Sequence, residues 1–106
     1  MSVIVTVSVK GDSGKLEQHA SENRDRMQTI VSAAKSHGLI AHRFYGSEDG
    51  RILVIDEWPD GDSFHTFFSE QQANIGPLMQ AGGVTSEPEV TVWRKLETHD
   101  EVGWSN

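Results

Sequence analysis

The apolar residues of this chain change their spacing along its length, and the order of those changes is the strongest constraint on its fold. Residues 2 to 9 alternate, with Val3, Val5, Val7 and Val9 on one side and Ile4, Thr6 and Ser8 on the other. A two-residue period with one wholly apolar side predicts a strand lying on a core. Lys10-Gly11-Asp12-Ser13-Gly14 supplies a turn and a helix cap. From Lys15 the period becomes helical. Leu16, Ala20, Asn23, Met27, Ile30 and Ala34 recur at steps of four and three, with Glu17, Glu22, Arg24, Gln28 and Lys35 opposite them. This predicts one amphipathic helix of roughly six turns, closed by Gly38 as a left-handed cap.

Residues 39–47 and 51–58 return to strand character around Glu48-Asp49-Gly50. That spacing suits a three-residue hairpin loop with a glycine bulge, which sets Ser47 against Arg51, Phe44 against Val54 and His42 against Asp56. A two-residue loop would shift the pairing by one and separate His42 from Asp56. Pro59-Asp60-Gly61-Asp62-Ser63 ends the second strand and caps another helix, whose inner face carries Phe64, Phe67, Phe68 and Gln71. Asn74-Ile75-Gly76-Pro77 interrupts that helix, and Pro77 is expected as the first residue of a short one. A last strand runs from about Glu87 to Lys95, with Val90 and Val92 on one side and Thr91, Trp93 and Lys95 on the other.

The order β-α-β-β-α-β predicts an α+β, ferredoxin-like fold, one antiparallel sheet with two helices on one face. Residues 1–96 read as a single domain and residues 97–106 as a polar tail with one apolar anchor, Trp104. The valine side of the first strand, with Leu53, Ile55, Val90 and Val92, is expected beneath the helices. Ile4, Phe44, Val54, Trp58 and Trp93 would then form an apolar patch on the other face. Monomers avoid such patches, and a second copy related by two-fold symmetry covers one. A homodimer forming an α/β barrel is the expectation.

Composition narrows the function by exclusion. The net charge is −7 and the nine Lys and Arg residues are scattered, so the basic stripe that a nucleic-acid or anionic-membrane binder needs is missing. Cysteine is absent, which removes disulfides, thiol nucleophiles and thiolate metal sites. No stretch approaches the ~18 apolar residues of a spanning helix. The N-terminus lacks a basic segment followed by a long apolar run, and reads as a strand rather than a signal peptide. A cytoplasmic protein is expected.

The valine-rich opening strand, the run Gly38-Leu39-Ile40-Ala41-His42-Arg43-Phe44 and the run Val54-Ile55-Asp56-Glu57-Trp58 together resemble the antibiotic biosynthesis monooxygenase-like family of dimeric α/β-barrel proteins. The resemblance covers residues 2–96, and its most distinctive element is Asp56-x-Trp58. It implies a dimer and oxidation of an electron-rich aromatic or quinol metabolite without metal or flavin, so no cofactor is expected. His65 falls near a helix histidine that such proteins often carry. A haem-degrading branch relies on an asparagine in the first strand, and residues 2–9 contain none.

His42 and Asp56 are the candidate catalytic pair. A carboxylate beside an imidazole fixes its tautomer and suits it to take a proton from an acidic phenol or ketone; the resulting aromatic anion would react with dioxygen. The plain alternative is a polar cross-strand pair worth under about 1 kcal/mol. Phe44, Trp58, His65 and Trp93 are the candidate substrate-binding residues, since flat indoles stack on planar ligands and orient them through N–H. The alternatives are dimer-core tryptophans and a surface histidine. No two histidines have the i, i+4 spacing with a nearby acid that zinc sites favour, so no metal site is expected. Three functions remain open: a cofactor-free monooxygenase acting on a small aromatic or quinone-like metabolite, a non-redox binding protein, isomerase or cyclase on the same scaffold, and a purely structural homodimer.

Overall fold

The computed structural model describes residues 1–104. Its elements are β1 (Val3–Lys10), α1 (Ser13–Glu22), α2 (Arg24–Ser36), β2 (Ala41–Gly46), β3 (Arg51–Trp58), α3 (Gly61–Glu70), α4 (Gln72–Ala81) and β4 (Glu89–Arg94). The strands form one antiparallel sheet in the order β2-β3-β1-β4. The expected ferredoxin-like architecture is therefore present, with its apolar helix faces packed on one side of the sheet. Residues 97–104, the described part of the expected tail, hold no helix or strand and are exposed; residues 105 and 106 lie outside the described residues.

Local signals account for the element boundaries. Asp12 caps α1 by accepting from the Lys15 N–H at 3.1 Å, and Asp60 caps α3 by accepting from the Ser63 N–H at 2.7 Å. Gly38, at φ +103°, ends α2 in a Schellman motif: Leu39 N–H donates to the Ala34 carbonyl and Gly38 N–H to that of Lys35, both at 3.0 Å. Gly50, at φ +84°, closes the β2–β3 hairpin, and Ser47 N–H donates to the Arg51 carbonyl at 2.9 Å. The hairpin register is the expected one, with His42 against Asp56 and Phe44 against Val54.

Three expectations are corrected. The first helix is two helices, broken at Asn23, whose φ and ψ of −134° and 50° leave the helical region. The Asn23 side chain donates to the His19 carbonyl at 3.0 Å and its N–H to that of Ala20 at 3.4 Å. Such local bonds are how asparagine competes with helix continuation. Pro77 lies inside α4 rather than at its start. The carbonyl it leaves without an intrahelical donor is that of Ala73, and both residues are exposed to water, which limits the cost.

The third correction concerns the faces of the sheet. Val3, Val5, Val7 and Val9 pair with Trp58, Asp56, Val54 and Ile52, so these residues, with His42 and Phe44, lie on the helix side. Leu53 and Ile55, expected beneath the helices, lie on the other face with Ile4 and Trp93. Phe44, Val54 and Trp58 thus leave the expected dimer face, while Trp93 stays on it. The physical reason is parity: a strand whose register moves by one residue turns every side chain over. The β1–β3 register is set by core packing. Trp58 is fully buried between Phe64 and Phe67, at ring-centroid distances of 5.9 and 5.5 Å. That aromatic core is larger than any Leu53 and Ile55 would supply.

Candidate active site

The β2–β3 hairpin carries the polar centre of the molecule. His42 projects from the edge strand β2 and Asp56 from β3, directly opposite each other. His42 Nδ1 lies 2.7 Å from Asp56 Oδ1, and Trp58 Nε1–H donates to Asp56 Oδ2 at 3.1 Å. Residues 56 and 58 share a face because side chains alternate along a strand. The Asp-x-Trp spacing thus lets an indole N–H reach the carboxylate two residues before it.

Asp56 is 5% exposed. Burying a carboxylate is expensive unless its oxygens are hydrogen-bonded. Here each oxygen has a partner, one on His42 and one on Trp58. Because the carboxylate accepts, the ring proton of neutral His42 resides on Nδ1 and Nε2 carries the lone pair. Among the described residues Nε2 has no hydrogen-bond partner. The His42 side chain is 26% exposed, and its ring meets Phe44 edge-on at 5.1 Å and 85°.

His42, Phe44 and Asp56 line a cavity of about 100 Å³ between the sheet and the helices. Val54 and Ile52 continue its floor along β3; Met27, Ile30 and Val31 of α2, Phe64, Phe67 and Phe68 of α3, and Met79 of α4 form its walls. The arrangement is an apolar cavity with a histidine in its lining, held by a carboxylate that a buried tryptophan holds in turn.

The other candidate residues fall elsewhere. Trp58 is behind Asp56 in the core and is not part of the cavity wall. His65 is exposed on α3, edge-on to Phe64 at 5.4 Å. Trp93 lies on the opposite face of the sheet, 53% exposed, its Nε1–H donating to Thr6 Oγ1 at 2.8 Å. Met27, Phe68 and Met79, which also line the cavity, are not among the site residues expected from the sequence. Met27 and Phe68 were legible there only as core positions at helical spacing. Among the described residues no group of three or more His, Asp and Glu converges, and no helix is long and apolar enough to cross a membrane.

A second histidine contact joins α2 to α3. His37 Nδ1 lies 2.9 Å from the Ala33 carbonyl and Nε2 lies 2.9 Å from Glu70 Oε2. Both neighbours are acceptors, so both ring nitrogens are satisfied only in the imidazolium. The Ala33 carbonyl, followed by Glu70, holds the His37 pKa above its ordinary value.

No family model matches the sequence, and no curated protein matches it. Solved structures do. A monooxygenase from the gene ActVA-Orf6 of Streptomyces coelicolor, in complex with the ligand Nanaomycin D, superposes with a TM-score of 0.68 at 15% identity, covering 95% of this chain and 93% of that one. SnoaB, a cofactor-independent oxygenase from Streptomyces nogalater, gives 0.63 at 14% identity over 94% of this chain and 98% of its own. A dimeric ferredoxin-like protein from an uncultured marine organism gives 0.63 at 12% identity over 95% and 93%. At these identities the likeness is one of fold, and the antibiotic biosynthesis monooxygenase-like resemblance expected from the sequence is borne out at that level.

Proposed function

We propose that the protein is a cofactor-free monooxygenase-like enzyme acting on a small aromatic metabolite in the cavity between sheet and helices. The observation that carries the reading is the chain Trp58–Asp56–His42, which ends in an imidazole lining an apolar cavity, its Nε2 without a hydrogen-bond partner among the described residues. His42 Nε2 takes the hydroxyl proton of a phenol, and Asp56 stabilises the imidazolium formed. The ring carbon para to the oxygen attacks dioxygen, the co-substrate. Loss of water then leaves a quinone, so that phenol plus dioxygen becomes quinone plus water. Positioned general-base catalysis contributes typically about 10²–10⁴-fold.

The same reading makes residues 1–96 one domain that works as a cytoplasmic homodimer. Ile4, Leu53, Ile55, Tyr45 and Trp93 share the sheet face away from the helices, and Tyr45 and Trp93 are 46% and 53% exposed. A second copy covers this face by two-fold symmetry.

Oxygen uptake with a panel of phenols, quinols and anthrones tests the activity. Turnover that falls at least about a hundredfold in His42→Ala, with an unchanged melting temperature, is the expected result. No uptake across the panel, or full activity in His42→Ala, overturns it. In the latter outcomes a non-redox ligand-binding role on the same scaffold is favoured.

A further inference from the structure

The cavity between sheet and helices is smaller than what the proposed reaction asks it to hold. Its volume is about 100 Å³, whereas a buried cavity that takes up one benzene ring has ~150 Å³. A ring enters only if a wall moves, and the walls are not held equally. α1, α3 and α4 each bury large apolar side chains: Leu16, Phe64 with Phe67, and Ile75 with Leu78. Asp12 and Asp60 cap α1 and α3. α2 buries Ala34 alone. Its Met27, Ile30 and Val31 line the cavity and are part-exposed.

The two ends of α2 also differ. Its C-terminal end is fixed by the buried Ala34, by the Gly38 cap and by the contact of His37 with Glu70 of α3. Its N-terminal end is open. Asparagine is among the best N-caps, but the Asn23 amide is turned back onto α1. It donates to the His19 carbonyl at 3.0 Å and lies 3.3 Å from His19 Nδ1, and no side chain caps α2. Among the described residues no side-chain hydrogen bond or ion pair joins residues 24–31 to another element; the Thr29 hydroxyl donates within the helix, to the Asp25 carbonyl. An uncapped, weakly packed helix end is the part that opens first. The closed arrangement also carries a cost at this junction. With the Asn23 amide donating toward Nδ1, the proton of the neutral His19 ring resides on Nε2. That atom is buried and has no partner among the described residues. A buried donor without an acceptor favours any arrangement that brings water to it.

We propose that residues 24–31 of α2 are a lid on the cavity. They unwind from the break at Asn23, stay tied at Ala34, and open the cavity to an aromatic ring that the closed form excludes. Met27, Ile30 and Val31 leave the cavity with the lid, and the strand floor that includes Val7 and Val54 becomes accessible. The His19–Asn23 junction is the hinge. The lid goes beyond the reaction proposed above and rests on it only for the nature of what enters.

Cysteine is absent from the chain, so a single introduced thiol reports the opening through its labelling by methyl methanethiosulfonate, followed by mass. Val7→Cys places the thiol in the cavity lining. Val5→Cys, on the same face of β1, places it fully buried and outside that lining. The Val7 thiol is expected to label at least about tenfold faster, with a shallow dependence on urea, while the Val5 thiol follows global unfolding. Gln28→Gly, at an exposed position of α2, should speed labelling of the Val7 thiol about threefold by weakening that helix. Glu17→Gly, the matching change at an exposed position of α1, should leave it unaltered. His19→Leu removes the orphan donor and should slow it. Equal labelling of the two thiols, equal effects of the two glycines, or a Val7 thiol indifferent to Gln28→Gly overturns the lid. Unchanged or faster labelling in His19→Leu overturns the part given to His19. No substrate is present in these measurements, so the two readings fail separately. Opening of the lid without oxygen uptake retires the oxygenase alone, and uptake by a protein whose α2 stays shut retires the lid alone.

Discussion

Asp56 ties the chemistry of the site to the stability of the fold. It is a buried carboxylate whose two partners differ in kind, a part-exposed imidazole and a fully buried indole. Trp58→Phe keeps the aromatic volume against Phe64 and Phe67 and removes only the N–H donor. The Oδ2 atom then lacks its partner in a buried site, which costs about 1–3 kcal/mol. Urea unfolding is expected to report a loss in that range, accompanied by a fall in turnover. A change within about 0.5 kcal/mol would show that water replaces the indole. The residue-level pairing of His42 with Asp56 was legible in the sequence because a hairpin loop fixes register locally. The role of Trp58 was not. It depends on which face of the sheet position 58 occupies, and nothing within the hairpin decides that.

At the level of elements, α2 carries two features that join it to its neighbours. Gly38 follows its C-terminus at φ +103°, and a Cβ there would stand 3.0 Å from Pro59 Cγ. Gly38→Ala is therefore expected to destabilise by more than about 1 kcal/mol, read as a lower melting temperature. His37 links the same helix end to Glu70 of α3, beside Phe67 in the cavity wall at a centroid distance of 6.2 Å. Its folded pKa is raised, by the Ala33 carbonyl and then by Glu70. A raised pKa means that folding favours the protonated form, so the contribution is present below about pH 6.5. It is lost as pH rises through the folded value. The stability gap between wild type and His37→Gln should be widest near pH 5.5 and close on the alkaline side, measured as urea midpoints against pH. A gap that widens with pH would contradict this assignment. Asp60 behaves oppositely. The Ser63 N–H, then the Ser63 hydroxyl, lowers its pKa, so its contribution is present above pH ~3.8 and lost on acidification below it.

For the whole molecule, the decisive prediction concerns the uncovered face of the sheet. Ile55→Glu sets a charge in the middle of the proposed dimer contact, across from Thr6 on β1 and Arg43 on β2. Sedimentation is expected to show a dimer for the wild type and a monomer for this variant. The cavity lies on the other side of the sheet and should keep its ligand preferences. A monomeric wild type at micromolar concentration would count against the dimer and leave the site untouched, because every residue described in that site comes from one chain.

The sequence by itself determined the order of strands and helical regions, the hairpin register, the capping segments 10–14 and 59–63 with the Gly38 cap, and the juxtaposition of His42 with Asp56. Each of these depends on residues close together in the chain, where turn geometry and periodicity act directly. The tertiary structure decided the pairing of β1 with β3, strands joined by some forty residues. It thereby decided which face of β3 is buried. Alternation offered two stripes, one containing Asp56 and the other Glu57, and a polar residue in each left no preference. The aromatic core formed by Trp58 with Phe64 and Phe67 broke that tie. It carried Asp56 inside, where His42 and Trp58 satisfy it, and so turned an expected interface between two copies into a cavity within one.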